Sequence, residues 1–357
     1  MPDNQESTPV FICGYPKSGT TLLLALLDSH PDLLVFPEET KFFRNIVGHP
    51  KRRNPEYVLE HTGARAFGYD EVRWASGYRD YSAIDFKAYK RCLNQRWAGC
   101  VKDEPSLLES IIRCFGQVTG QPHKPYWIEK TPLNENYLEK AVKWWPDLRA
   151  IYIIRDPRDN YCSYKKTRQK RRQALEVQAY EEEKENRSPD LAKQKPSIPR
   201  LLVPDEFIAY WFESLNHWER FAARHADNML LIRYEDLVES PRQVMESVCS
   251  FLQINWDEVL MRPTRSGVFW SGNSMHGTEF KGISTASVGK YKEVLSEREV
   301  RYLEAWLRRP IRRYEWRLEY QPVALFGLLR YLPFNQNSKL LIKAMMITGL
   351  ISNWISS

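Results

Sequence analysis

Apolar positions in this chain come in short blocks, and the blocks between them carry a helical period. Val10–Cys13, Leu33–Phe36, Tyr126–Ile128, Ala150–Ile154 and Met229–Arg233 are runs of three to five residues, mostly apolar. Such runs read as buried strands. Thr20–Ser29 reads as a helix that His30-Pro31 stops, and Glu135–Trp145 as another, stopped by Pro146. A further helix starts at about Arg158. Pro241–Leu252 has apolar residues at 244, 245, 248, 251 and 252, one face of a helix. Strands alternating with helices predict an α/β fold, a parallel sheet flanked by helices on both faces.

Three regions break the alternation. Residues 44–100 are rich in Arg, Tyr and Trp without a clear period, and read as a helical insertion on the substrate side. Residues 165–205 hold a basic run (KKTRQKRRQ), an acidic run (EEEKE) and four prolines. They read as a solvated helix and loop, or as a mobile lid. The tail, 338–357, places Leu340, Ala344, Ile347 and Ile351 on one helical face, with Lys339, Lys343 and Trp354 around it. That is the pattern of an interfacial helix or of a helix docked on the core. The expected organisation is one domain over 9–320 and a helical tail over 321–357.

The chain has 357 residues, 43% hydrophobic and 27% charged, which predicts a globular protein. Its net charge of +7 suits an anionic cofactor, substrate or membrane surface. No basic stripe accompanies a nucleic-acid module, so no nucleic-acid partner is expected. The six cysteines include no C-x-x-C pair, and Cys13 and Cys249 sit in apolar runs as core thiols. These features point to a reducing compartment. No leader precedes Val10 and no apolar run reaches ~18 residues. The expected location is therefore cytoplasmic, peripheral at the inner membrane face if the tail binds lipid. The seven histidines show no His-x3-His spacing, so no metal is expected.

The chemistry concentrates after the first run, in Gly14-Tyr15-Pro16-Lys17-Ser18-Gly19-Thr20-Thr21. Strand, glycine-bounded loop and helix form a phosphate cradle of backbone N–H groups. The G-x4-G spacing is that of a P-loop. An NTPase, however, follows the second glycine with Lys and then Ser or Thr for Mg²⁺. Here Thr20 takes the lysine's place, and the loop's cation is Lys17. A P-loop small-molecule kinase would also need a metal-side Asp. An inactive nucleotide-binding protein of the same fold would be expected to lack a charged site residue, and Lys17, Glu39 and Arg155 are all present.

This loop resembles the 5′-phosphosulfate loop of sulfotransferases that use 3′-phosphoadenosine 5′-phosphosulfate (PAPS). The resemblance runs from about residue 9 to 310. It implies that Lys17, Ser18, Gly19, Thr20 and Thr21 hold the 5′ end, and that Lys17 stabilises the leaving phosphate. Arg155 and Ser163, eight residues apart after the Ala150–Ile154 run, resemble the family's pair for the 3′-phosphate. Arg suits it because its planar fork donates two bonds at once. Pro37-Glu38-Glu39-Thr40 resembles the segment that carries the catalytic Glu in the tyrosylprotein and heparan sulfate enzymes, and alignment selects Glu39 over Glu38. Glu129-Lys130-Thr131-Pro132 is shared with the heparan type and lacks the histidine base of the cytosolic small-molecule type. Lys130 would touch the sulfuryl oxygens or the substrate. Arg233-Tyr234-Glu235-Asp236-Leu237 resembles the strand whose Tyr lies near the adenine, which implies that role for Tyr234; a plain core role is the alternative. Ser287-Val288-Gly289-Lys290-Tyr291-Lys292 stands where the family closes over the 3′-phosphate, with Gly-Lys-Tyr in place of Gly-Arg-Trp, and brings in Ser287 and Lys290. The implied reaction is sulfuryl transfer from PAPS, without metal, to an acceptor hydroxyl. Glu39 and Glu-Lys-Thr-Pro lean toward a carbohydrate.

Overall fold

A computed structural model describes residues 7–68, 71–74, 77–99, 103–121, 124–184, 204–272 and 282–321. The elements, in chain order, are β1 (Thr8–Cys13), α1 (Thr20–Leu27), β2 (Leu33–Val35), α2 (Phe42–Asn45), α3 (Pro55–His61), β3 (Glu71–Trp74) and β4 (Gly77–Asp80). Then come α4 (Phe86–Gly99), α5 (Glu104–Val118), β5 (Tyr126–Lys130), α6 (Leu138–Trp144), β6 (Arg149–Ile154) and α7 (Pro157–Lys184). Next are α8 (Pro204–Ala222), β7 (Met229–Arg233), α9 (Tyr234–Glu239), α10 (Pro241–Leu252), β8 (Thr264–Arg265), β9 (Val268–Phe269), α11 (Tyr291–Val294) and α12 (Glu297–Arg313). These residues fall into two compact units. The first lies within Met1–Ile154 and Ser214–Thr285, the second within Arg155–Glu213 and Ala286–Ser357.

The first unit is built on a five-stranded sheet in the order β2-β5-β1-β6-β7, parallel throughout. β1 is central, with Val10, Phe11, Ile12 and Cys13 all fully buried. β6 behaves alike, with Ala150, Ile151 and Ile153 fully buried. A parallel sheet covered on both faces requires such continuous apolar strands. All five strands predicted from the sequence are present. Around them the 3.6-residue period decides which helix faces turn inward. α5 starts at Asp103, whose carboxylate accepts the Ser106 N–H at 2.8 Å, and buries Leu107, Leu108, Ile111, Ile112 and Phe115. The predicted Glu135–Trp145 helix is shorter than expected. A 3₁₀ turn occupies Asn134–Tyr137, preceded by Leu133 in a left-handed conformation (φ 72°), and the α-helix begins only at Leu138.

The 44–100 stretch, within its described residues, is mostly helical, with an antiparallel β3–β4 pair between α3 and α4. Its aromatics are largely core: Phe67 packs against Phe36, Tyr81, Tyr89 and Phe115. Cys92 of α4 and Cys114 of α5 form a disulfide, a pairing for which the sequence offered no signal, while Cys13, Cys162 and Cys249 are buried free thiols.

The second unit contains α7 and α12. α12 opens with a capping box, Ser296 and Glu299 exchanging bonds. Buried Arg158 pairs with Asp156 at 2.6 Å and with Glu304. The basic run of 165–205 continues α7 as far as Lys184; the remainder, where a lid was the alternative, lies outside the described residues, as does the tail. No described helix is long and apolar enough to cross a membrane.

Candidate active site

The cradle follows β1 directly. Gly14 (φ 140°) donates its N–H to Glu135 Oε2 at 3.1 Å, and its carbonyl accepts the Leu133 N–H at 3.3 Å. A Cβ at Gly14 would stand 2.5 Å from the Ile153 carbonyl, so only glycine fits. Lys17 occupies the left-handed region (φ 74°), unusual for a residue with a Cβ and characteristic of functional loops. Gly19 (φ 107°) caps α1 without a side chain, and its carbonyl accepts the N–H groups of Leu22 and Leu23. The N–H groups of Thr20 and Thr21 thus stand in the helix's first turn, with no partner inside the helix and the positive end of its dipole behind them. The Tyr234 ring packs on Gly19, close enough that an added Cβ would come within 2.4 Å of it. Tyr234 is therefore buried against the cradle, joining the core role to contact with the loop.

Three charged groups share this end of the sheet. Lys130, at the end of β5, is 2% exposed and donates to Glu39 Oε1 at 3.0 Å and to Thr21 Oγ1 at 3.4 Å. Burial lowers the ammonium pKa of Lys17; the Glu39 charge raises it and Lys130 lowers it further. Lys17, Glu39 and Lys130, separated by up to 113 positions in the sequence, thus form one electrostatic group.

Glu38 and Glu39 differ sharply. Glu38 is buried, accepts the Tyr81 hydroxyl at 2.5 Å and has Arg265 at 3.9 Å. Glu39 keeps about a third of its side chain exposed (34%) and faces Lys130. Glu38 is thus the buried acid of the pair, and Glu39 the one that reaches the cation. Their loop is anchored from outside. Arg265 of β8 donates twice to the Pro37 carbonyl, at 2.9 and 2.6 Å, and the Gly63 N–H donates to the Glu39 carbonyl at 2.8 Å. A Cβ on Gly63 would lie 2.4 Å from that of Glu38. A small cleft beside Thr21 is lined by Leu24, Val35, Pro37, Arg265 and Trp270.

The second unit carries the other predicted residues. Arg155 donates to the Ser287 carbonyl at 2.5 Å. Asp159, in the first turn of α7, accepts the N–H groups of Gly289 at 2.6 Å and Tyr291 at 2.8 Å, which bracket Lys290. Burial pushes the Asp159 carboxyl up to about 6, against the pull of Arg155. The Lys290 ammonium is engaged by Glu293. Ser163 lies half-buried in α7. Asp159 was missed in the sequence, although an Arg-Asp-Pro-Arg-Asp-Asn run straight after a strand was a signal that its acids had work near the arginines.

Among the described residues, no group of three or more His, Cys, Asp or Glu side chains could hold a metal ion. A family model described as "Sulfotransferase family" matches residues 9–258. The chain belongs to the sulfotransferase family. Curated relatives include protein-tyrosine sulfotransferase 1 of Danio rerio, 22% identical over 260 residues, covering 72% of this chain and 56% of that one. The protein-tyrosine sulfotransferase of Drosophila melanogaster is 22% identical over 277 residues, covering 72% and 40%. The chain thus spans about half the length of the curated relatives it matches. Similar solved structures include the sulfotransferase domain from the curacin biosynthetic pathway (TM-score 0.49, 15% identity, 88% of this chain and 99% of that one). Mouse sulfotransferase SULT7A1 complexed with PAP is another (TM-score 0.39, 15% identity, 86% and 85%).

Proposed function

We propose that this family member moves the sulfuryl group of PAPS to an acceptor hydroxyl. The observation that carries the reading is the group formed by Lys17, Lys130 and Glu39 at the head of α1. The cradle fits an anionic 5′ end: Gly14 and Gly19 leave backbone where a side chain would stand, and first-turn N–H groups face outward from the helix. Lys17, Ser18, Gly19, Thr20 and Thr21 would hold that end, and Arg155, Ser163, Ser287 and Lys290 the 3′-phosphate, with Tyr234 near the base. As the acceptor oxygen bonds to sulfur, the S–O bond to the phosphate breaks and that phosphate keeps the electron pair. Lys17 stabilises its charge, and Glu39 takes the acceptor proton. Lys130 holds Glu39 and reaches toward the sulfuryl oxygens.

The names of the curated relatives favour a tyrosyl hydroxyl as acceptor, and the Glu129-Lys130-Thr131-Pro132 segment supports a carbohydrate hydroxyl as the second reading. A tyrosine-containing peptide and a glycan, each incubated with PAPS and analysed by mass spectrometry, separate the two. Sulfation of neither, with no adenosine 3′,5′-bisphosphate binding, would overturn the activity itself. We further propose that the tail rests on an anionic membrane surface, which for a cytoplasmic protein is the inner face. Co-sedimentation with anionic vesicles, compared with a chain ending near Gln321, tests it: equal sedimentation makes the tail a packing element.

A further inference from the structure

The seven residues Glu129-Lys130-Thr131-Pro132-Leu133-Asn134-Glu135 begin and end with a carboxylate withdrawn from solvent. Glu129 is fully buried and Glu135 is 2% exposed. Neither has a place in the sulfuryl-transfer scheme above. Each is surrounded by donors, and those donors belong to different loops.

Glu129 Oε1 accepts the Thr40 N–H at 3.3 Å, the Thr40 hydroxyl at 2.6 Å and the Thr131 hydroxyl at 2.5 Å; Oε2 accepts the Asn134 amide. Thr131 Oγ1 in turn accepts the Lys41 N–H at 3.0 Å. The two residues after Glu39 are therefore fastened to the end of β5, 90 positions away, by one carboxylate and the hydroxyl it orients. Lys41 is held there in a left-handed conformation (φ 51°), which costs free energy that these bonds must offset.

Glu135 does the same for the cradle. Its Oε2 accepts the Gly14 N–H at 3.1 Å, and its Oε1 accepts the Ser214 hydroxyl, which also meets the Tyr152 hydroxyl at 2.9 Å. With the Leu133 N–H on the Gly14 carbonyl, both polar groups of Gly14 are bonded to residues 133–135. A buried N–H that loses a charged acceptor forfeits a strong bond and keeps its desolvation penalty.

We infer that Glu129 and Glu135 are positioning residues with divided duties: Glu129 sets the loop that carries Glu39, and Glu135 sets the loop that carries Lys17. The segment between them then fixes the spacing of base and cradle, with Lys130 at its start touching both Glu39 and Thr21. The inference rests on the sulfotransferase reading for its functional consequence, but its structural half stands apart from it.

The test uses full-length Glu129→Leu and Glu135→Leu, with the Gln variants as conservative rescues that keep an acceptor oxygen. Hydrogen–deuterium exchange reports the two loops separately, through peptides covering 10–19 and 37–45. Calorimetry with adenosine 3′,5′-bisphosphate and the kinetics of PAPS consumption in the presence of a tyrosine-containing peptide, with release to water as background, supply the functional readouts. Glu129→Leu is expected to speed exchange in 37–45 and lower kcat about 10- to 100-fold, with KM for PAPS and bisphosphate affinity kept. Glu135→Leu is expected to speed exchange in 10–19 and weaken bisphosphate binding about 10-fold or more. The Gln variants should recover part of each loss. If either Leu variant does not fold, Thr40→Val and Ser214→Ala remove single partners of the same two brackets and should show the same separation at smaller size. Exchange rising equally in both peptides for both variants, or in neither, overturns the division of duties. A wild-type protein that binds no bisphosphate while the exchange pattern holds sinks the enzymatic reading and leaves the bracing intact.

Discussion

The first unit's Lys17 and the second unit's Arg155 are both cations placed just beyond a strand of the central sheet in sequence, and both sit among buried acids that grip loop N–H groups. They differ in what their charge can do. Lys17 carries a point charge whose pKa burial pulls down and Glu39 pushes back up. Arg155 presents a planar fork that donates to the Ser287 carbonyl, and Asp159 holds the turn on either side of Lys290. In the proposed reaction the point charge stands against a bridging oxygen whose negative charge grows as the S–O bond breaks. In the same proposal the planar fork stands against a phosphate that is charged throughout.

That contrast can be broken in a definite order. Glu39→Gln should lower turnover about 10²- to 10⁴-fold, as loss of a general base does, while adenosine 3′,5′-bisphosphate still binds. Wild-type turnover would move the base elsewhere, with Glu38 the first place to look. Lys17→Ala should lower kcat by about 10²–10³, with bisphosphate affinity nearly kept. Arg155→Ala should do the reverse, weakening the bisphosphate about 10- to 100-fold before kcat suffers. Calorimetric titration of both variants decides it, and equal weakening would erase the distinction between the two cations.

The smallest effect is a pH dependence of stability. Burial raises the Glu135 carboxyl from 4.5 to about 7. The folded chain therefore holds this proton more tightly than the unfolded chain does. The contribution is fully present below about pH 4.5 and is lost as pH rises toward 7. Denaturant unfolding of wild type and Glu135→Gln should show the wild type's relative stability declining by up to about 3 kcal/mol across that window. A constant difference would mean that Glu135 does not titrate there.

The sheet and the cradle were legible in the sequence because both are local. An apolar run buried on two faces shows itself within five residues, and Gly14-to-Thr21 carries its geometry in consecutive positions. What escaped depends on distant pairs. Glu129 finds Thr40 across 89 positions, Glu135 finds Gly14 across 121, and Asp159 finds Gly289 across 130. Cys92 and Cys114 meet only because α4 packs on α5. Gly63 looked like any turn glycine until the Glu38 Cβ stood over it. Choosing Glu39 over Glu38 was possible by alignment, yet the physical difference between them, one buried against Tyr81 and one facing Lys130, required the fold.

The central place of β1 has a consequence for how the chain is made. One of its hydrogen-bonding partners is β5, in a register that joins Thr8 to Tyr126 and Ile12 to Lys130. Roughly 120 residues must leave the ribosome between them, which takes on the order of ten seconds. For that interval both edges of a mostly apolar strand are unpaired, and the loop after it lacks the residues that grip Gly14. Nascent chains halted before β5 should therefore need chaperone cover, whereas release of the segment through Glu135 would be the first moment at which the loop after β1 can take shape.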